Sequence, residues 1–91
     1  MVVKIELSGG LEYDAKTTHF EIEIGNIKTM RDVIHKIKEI QTGLAPIFTE
    51  ESVIPGIIVL INDADWELVG MLDSEVHDGD VISLISSIHG G

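Results

Sequence analysis

The spacing of apolar residues changes along the chain, and this change is the strongest constraint on what the chain can fold into. Residues 2–7 (VVKIEL) and 18–24 (THFEIEI) alternate apolar and polar side chains, which is typical of strands with one buried face. Ser8, Gly9 and Gly10 supply turn residues between the two segments. The first part of the chain is therefore predicted to form a β-hairpin.

From residue 30 onwards, the apolar residues recur at helical spacing instead. They are Met30, Val33, Ile34, Ile37 and Ile40. Thr29 followed by Asp32 is a capping signal for the start of a helix, and Gly43 is a stop signal after its end. The pattern predicts one helix of about twelve residues.

The second half of the chain contains three further segments of strand type, which are 57–61 (IIVLI), 66–69 (WELV) and 81–86 (VISLIS). The run 57–61 is continuously apolar, which is typical of a strand buried on both faces. Turn residues precede the other two segments, Asn62-Asp63 before 66–69 and Asp78-Gly79-Asp80 before 81–86.

The predicted element order is β-β-α-β-β-β, which belongs to the α+β class. A mixed sheet of about five strands should pack on one main helix. The first and last strands are expected to be central neighbours, and residues 1–91 are expected to form one domain.

Charge is distributed unevenly between the two halves of the chain. Residues 1–38 contain all six Lys and Arg residues and six of the sixteen acidic residues, so their charges balance. Residues 39–91 contain the other ten acidic residues and account for the whole net charge of −10. Since clustered cations bind phosphate backbones, direct nucleic-acid binding is not expected, and a basic protein surface is the expected partner. An acidic surface that serves only solubility is the alternative.

The side chains offer little catalytic chemistry. The absence of cysteine excludes disulfides, thiolate metal sites and a thiol nucleophile. The run 63–67 (DADWE) resembles the start of a calcium loop, but Leu68 stands where that loop needs glycine. Residues 77–80 (HDGD) predict a solvated turn, and Trp66 is expected to be a core or rim anchor. We expect no enzyme, no cofactor and no metal, and no segment is long and apolar enough to span a bilayer.

The chain finishes on SSIHGG, residues 86–91, directly after the last predicted strand. Without a Cβ, Gly90 and Gly91 would fit a channel too narrow for other residues. Their one reactive group is the main-chain carboxylate of Gly91, which is a poor electrophile until a second protein activates it. Residues 87–91 are expected to form a flexible tail outside the folded domain.

Residues 55–91 closely resemble the ubiquitin-related modifier family of sulfur carriers. The most specific part is 60–68 (LINDADWEL), which is followed by the HDGD turn, the last strand and His89-Gly90-Gly91. Residues 1–54 agree with this family in element order and length. The resemblance implies the β-grasp (ubiquitin-like) fold and a carrier function without catalytic side chains.

The resemblance further implies that an ATP-using enzyme related to ubiquitin-activating enzymes adenylates Gly91. A persulfide on the sulfurtransferase portion of that enzyme then displaces AMP and leaves a thiocarboxylate. A separate thiolating complex uses the sulfur for the 2-thio group on the wobble uridine of cytosolic tRNAs. Members of the family are also attached to lysines of target proteins.

The residue roles that follow from this resemblance are confined to the end of the chain. Gly91 is the expected thiocarboxylate and conjugation site, and Gly90 and His89 are expected to contact the activating enzyme. The expected location is the cytoplasm, with the nucleus as a second one.

Two alternatives stay open at this point. A sulfur carrier of the same fold that serves molybdenum cofactor or thiazole synthesis would share the tail chemistry but have different partners. A non-covalent ubiquitin-like interaction module would not use the tail at all. Adding one residue after Gly91 separates the carriers from the module, because only a carrier would lose its activity.

Overall fold

One mixed sheet organises the protein in the computed structural model, which describes residues 1–87. Its strands are β1 (Val2–Ser8), β2 (His19–Glu23), β3 (Ile57–Ile61), β4 (Ala64–Asp65) and β5 (Val81–Ser86). They are arranged in the order β2-β1-β5-β3-β4. β1 and β5 are parallel, whereas the other neighbouring pairs are antiparallel. The predicted central pairing of the first and last strands is confirmed.

The main helix, α2 (Met30–Ile40), begins where the sequence predicts it. Thr29 and Asp32 form a capping box, in which the Asp32 carboxylate accepts hydrogen bonds from the backbone N–H groups of Lys28 (2.9 Å) and Thr29 (3.2 Å). These N–H groups, that of Lys28 first, hold the pKa of Asp32 below its ordinary value of 3.8. At the other end, the Gln41 N–H donates to the Ile37 carbonyl and the helix stops.

The core lies between α2 and one face of the sheet. Every second residue of β1 is buried, as are four residues of α2, so the alternating and helical patterns meet in one cluster. Trp66 joins this cluster with 3% of its surface exposed, which confirms its prediction as an anchor. A mixed sheet that holds one helix in this order is the β-grasp fold, as predicted.

Three details differ from the sequence predictions. The segment between the first two strands, expected to be a loop, contains the short helix α1 (Leu11–Ala15). The predicted strand 66–69 is a 3₁₀ turn over Trp66–Leu68, because the Asp65 carboxylate accepts the Glu67 N–H (2.9 Å) and turns the chain. Its place in the sheet is taken by β4, two residues earlier.

The third difference concerns the apolar run 57–61, which is buried on only one face. Ile57, Val59 and Ile61 are buried, whereas Ile58 is 42% exposed. Within residues 1–87, no element covers the sheet face opposite α2. An apolar strand on this sheet therefore presents half of its side chains to the surroundings.

Candidate functional site

The end of β5 is the point from which the predicted functional tail begins, and neighbouring loops hold it in place. Both the backbone N–H and the hydroxyl of Ser87 donate to the carbonyl oxygen of Gly56, each at 2.8 Å. Ser86 is 5% exposed, whereas Ser87 is exposed. The last described residue therefore has a defined position at the surface of the domain.

Gly9 provides the second support for this chain end. A Cβ built on Gly9 would lie 2.1 Å from the Ser86 carbonyl oxygen, which is far inside contact distance. Gly9 also has a φ of 74°, in the left-handed region that favours glycine. The sequence marks Ser8-Gly9-Gly10 only as turn residues, so the contact between Gly9 and Ser86 escapes sequence reasoning.

The residues that the sequence assigns to sulfur transfer or conjugation lie beyond this point. Gly91, Gly90 and His89 are outside the described residues, as is the predicted tail except for Ser87. Their roles stay predictions. The described part of the chain shows where this segment is attached and which surface lies beside it.

The sheet face opposite α2, which we call the open face, carries an apolar strip next to Ser87. The strip consists of Ile58, Leu60 and Ile85. Ile58 lies directly opposite Ile85 in the β3–β5 pairing, at a spacing where side chains touch. Ile58 is exposed and the other two are half-buried. The centre of a protein–protein contact is more apolar than its rim, and this strip has the character of such a centre.

Charged residues lie on one side of the apolar strip on the open face. β1 contributes Lys4 and Glu6, and β2 contributes Glu21 and Glu23, all of them exposed. On that side, the strip therefore has a polar border of mainly negative charge. A basic partner with a complementary apolar centre would fit this surface.

Several acidic residues of the second half have structural roles. Asp78 accepts the Val2 N–H (2.9 Å), which ties the last turn to β1. Asp80 accepts the Asn62 side-chain amide (2.9 Å) and the His77 N–H (2.8 Å). The acidic character of this half therefore serves turn formation in part, and Glu67 remains as an exposed carboxylate that can be changed without losing these bonds.

The segment 60–68, on which the family resemblance mainly depends, contains the turn between β3 and β4. Asn62 (φ 50°) and Asp63 (φ 69°) form the two-residue turn between β3 and β4, where left-handed residues are required. The Asn62 side-chain oxygen accepts the Val81 N–H (2.9 Å), so this turn is tied to the start of β5. Leu68, in contrast, is 81% exposed and contributes nothing to the core.

Neither a metal centre nor a membrane helix is found in the described part of the chain. No group of three or more metal-ligating side chains comes together within residues 1–87. None of the helices there has the length and apolar content needed to cross a bilayer.

A β-grasp domain whose last strand ends beside an exposed apolar strip defines the class of ubiquitin-like carriers and modifiers. Comparison with known proteins narrows this class. Residues 2–91 match the family described as Urm1 (Ubiquitin related modifier), and the chain belongs to this family. It is therefore a ubiquitin-like sulfur carrier and modifier and not an enzyme.

Relatives with this description cover the whole chain. The ubiquitin-related modifier 1 homolog of Dictyostelium discoideum is 45% identical over 97 residues and is matched along its full length. The ubiquitin-related modifier 1 of Mus musculus is 39% identical over 98 residues, which span 100% of this chain and 96% of the relative.

Solved structures agree with this assignment. The solution structure of Urm1 from Trypanosoma brucei aligns with a TM-score of 0.68 at 26% identity, over 99% of this chain and 95% of that one. A chain of the Amycolatopsis orientalis BexX/CysO complex aligns with a TM-score of 0.81 at 25% identity, over 98% and 99%.

Proposed function

We propose that this protein carries sulfur as a thiocarboxylate on Gly91 and supplies it for 2-thiolation of the wobble uridine of cytosolic tRNAs. The observation that carries the proposal is the family match, which extends through His89, Gly90 and Gly91. The same carboxyl group, when activated, would form isopeptide bonds with lysines of target proteins. The proposed place of this activity is the cytoplasm, with the nucleus as a second location.

The chemistry requires only the main chain of this protein. A carboxylate oxygen of Gly91 attacks the α-phosphorus of ATP, and pyrophosphate leaves. The terminal sulfur of a persulfide on the activating enzyme then attacks the acyl carbon, and AMP leaves. A second thiol of that enzyme cleaves the resulting S–S bond, which leaves the thiocarboxylate on Gly91 and a disulfide on the enzyme. Because the carrier has no cysteine, no thiol of its own competes for the acyl adenylate.

The proposed partner is an activating enzyme with adenylyltransferase and sulfurtransferase portions, followed by a tRNA-thiolating complex. Four residues follow Ser87, and an extended chain of that length spans at most about 14 Å. The ATP site of the enzyme must therefore come within this distance of Ser87. The apolar strip beside Ser87 is the surface best placed for the contact. The matching chain of the Amycolatopsis orientalis structure was solved in a BexX/CysO complex, which supports a function that depends on a partner.

Intact-mass spectrometry tests the transfer chemistry. The protein is incubated with the activating enzyme of the family, ATP and a sulfur donor. We expect a mass gain equal to the replacement of one oxygen by sulfur, located on Gly91 by fragmentation. Deleting Gly91, or adding one alanine after it, should abolish the gain while the circular dichroism spectrum stays unchanged. Unchanged sulfur transfer in both variants would refute the role of Gly91.

A second measurement tests the destination of the sulfur. Cells that lack the protein should lose 2-thiouridine from the wobble position of the affected tRNAs, and the wild-type chain should restore it. A thiocarboxylate that forms normally while 2-thiouridine is unaffected would mean that the sulfur goes to another acceptor. Molybdenum cofactor and thiazole synthesis would then be the acceptors to examine.

A further inference from the structure

β2 forms one edge of the sheet, and within residues 1–87 no strand lies beside its outer backbone groups. The Leu7 N–H donates to the Thr18 carbonyl at 2.9 Å. The Ile24 N–H donates to the Met1 carbonyl at 3.1 Å. In an antiparallel pair, alternate residues direct both backbone groups to the same partner. The intervening residues therefore direct theirs away from the sheet, and within β2 these are His19, Glu21 and Glu23.

Glu21 and Glu23 combine outward backbone groups with unpaired side chains. Both carboxylates lie on the open face, are exposed, and make no hydrogen bond or ion pair with any residue in the range 1–87. A strand added at this edge would place every second side chain beside them. Basic side chains would be favoured at those positions, because opposite charges on neighbouring strands stabilise the pairing.

The other side of the same edge has a different character. A cleft of about 400 Å³ lies between the end of β2 and α2. Ile24 and Ile27 line this cleft and pack against the core, and His35 and Lys36 of α2 form its far wall. Glu23 and Asp32 also line the cleft, and the Asp32 carboxylate already accepts the backbone N–H groups of Lys28 and Thr29. The part of the cleft formed by Ile24 and Ile27 would accept apolar side chains.

We infer that the β2 edge binds an extended segment of a partner protein in which basic and apolar residues alternate. The backbone of this segment pairs with the N–H and carbonyl groups of Glu21 and Glu23, as an added strand of the sheet. Its basic residues lie beside the two carboxylates, and its apolar residues face the cleft. β1 lies between this edge and the strands that carry the apolar strip, so the two surfaces are distinct and share only the carboxylates of Glu21 and Glu23.

The charges also decide against a second copy of this chain as the occupant. Pairing of two β2 edges would bring the Glu21 and Glu23 carboxylates of both copies onto one face. Like charges on neighbouring strands destabilise a sheet, and charged edges are a common protection against self-association. The same carboxylates that prevent this pairing attract a basic strand.

A synthetic peptide tests the inference directly. The probe is a short acetylated peptide that alternates valine and lysine and carries fluorescein, and its binding to the full chain is followed by fluorescence anisotropy. On binding, amide hydrogen exchange at Glu21 and Glu23 should slow by at least about tenfold, because their N–H groups gain acceptors. A peptide of the same sequence, N-methylated at the amides that would face β2, should not bind.

Charge variants separate this edge from the general acidity of the protein. Glu21→Lys combined with Glu23→Lys should weaken binding of the probe by about tenfold or more. Glu50→Lys combined with Glu51→Lys makes the same charge change in the loop before β3 and should leave binding within about twofold.

Three results would overturn the inference. The N-methylated peptide could bind as tightly as the unmodified one, both double variants could weaken binding equally, or the protein alone could dimerise through β2 in sedimentation. The outcome does not depend on the proposed sulfur transfer, since deletion of Gly91 should leave binding of the probe unchanged.

Discussion

Replacing Gly9 with alanine should both destabilise the fold and displace the attachment point of the functional tail. The added Cβ would lie 2.1 Å from the Ser86 carbonyl oxygen, whereas real Cβ contacts essentially never fall below 3.0 Å. One of the two segments must therefore move by about 1 Å within a close-packed region. Ser87 follows Ser86 directly, so its hydrogen bonds to Gly56 would be strained as well.

The expected magnitude has two parts. Gly9 has a φ of 74°, and a residue with a Cβ at this φ lowers the free energy of unfolding by about 1–2 kcal/mol relative to glycine. Insertion of an extra carbon into a packed contact costs about 1–3 kcal/mol more. Urea unfolding should therefore show a loss of about 2–5 kcal/mol for Gly9→Ala. The yield of thiocarboxylate under conditions where the variant stays folded should also fall.

Gly79→Ala is the matched control. Gly79 has a φ of 88°, but a Cβ built on it meets nothing within 4 Å. This variant should lose only the backbone part, about 1–2 kcal/mol, with normal thiocarboxylate formation. If the free energies of unfolding of the two variants agree within about 0.5 kcal/mol, the contact between Gly9 and Ser86 has no energetic weight and the reasoning fails.

Three further predictions concern the helix cap and the docking surfaces. Asp32→Ala should lower the free energy of unfolding by about 1 kcal/mol at neutral pH. Because the folded-state pKa of Asp32 is lowered, this loss should be complete above the ordinary pKa of 3.8 and should vanish as pH falls through the folded-state pKa. Urea unfolding across this pH range measures the difference, and a difference that does not change with pH would contradict the prediction. Ile58→Ser should lower the kcat/KM of the activating enzyme for this protein by about tenfold, with little loss of stability. Leu68→Ser changes a more exposed residue away from the apolar strip and should have no effect. Equal effects of the two variants would argue against docking through the strip. Glu67→Lys should slow association with the activating enzyme, and most strongly at low salt. An association rate that responds neither to this substitution nor to the salt concentration would mean that the acidic half serves only solubility.

The local patterns of the sequence were sufficient for most of the elements, but they missed α1 and predicted a strand at 66–69 where the chain forms a 3₁₀ turn. Alternation predicted β1 and β2, and helical spacing with the Thr29–Asp32 signal predicted α2 and its start. These patterns depend on residues two to four positions apart, and that short range is why they can be read before any tertiary contact is known. In the segment 60–68, the Asn62-Asp63 turn was predicted, whereas its bond from Asn62 to Val81 joins residues that are distant in sequence.

The open face and the support for the tail were decided by tertiary structure alone. The run 57–61 looks buried on both faces, yet Ile58 is exposed because the sheet has a helix on one side and none on the other within the described residues. The requirement for glycine at position 9 comes from Ser86, which is distant in sequence and adjacent only because β1 and β5 pair in parallel. Local sequence determined most of the elements, whereas exposure and close approach depend on which distant elements the fold brings together.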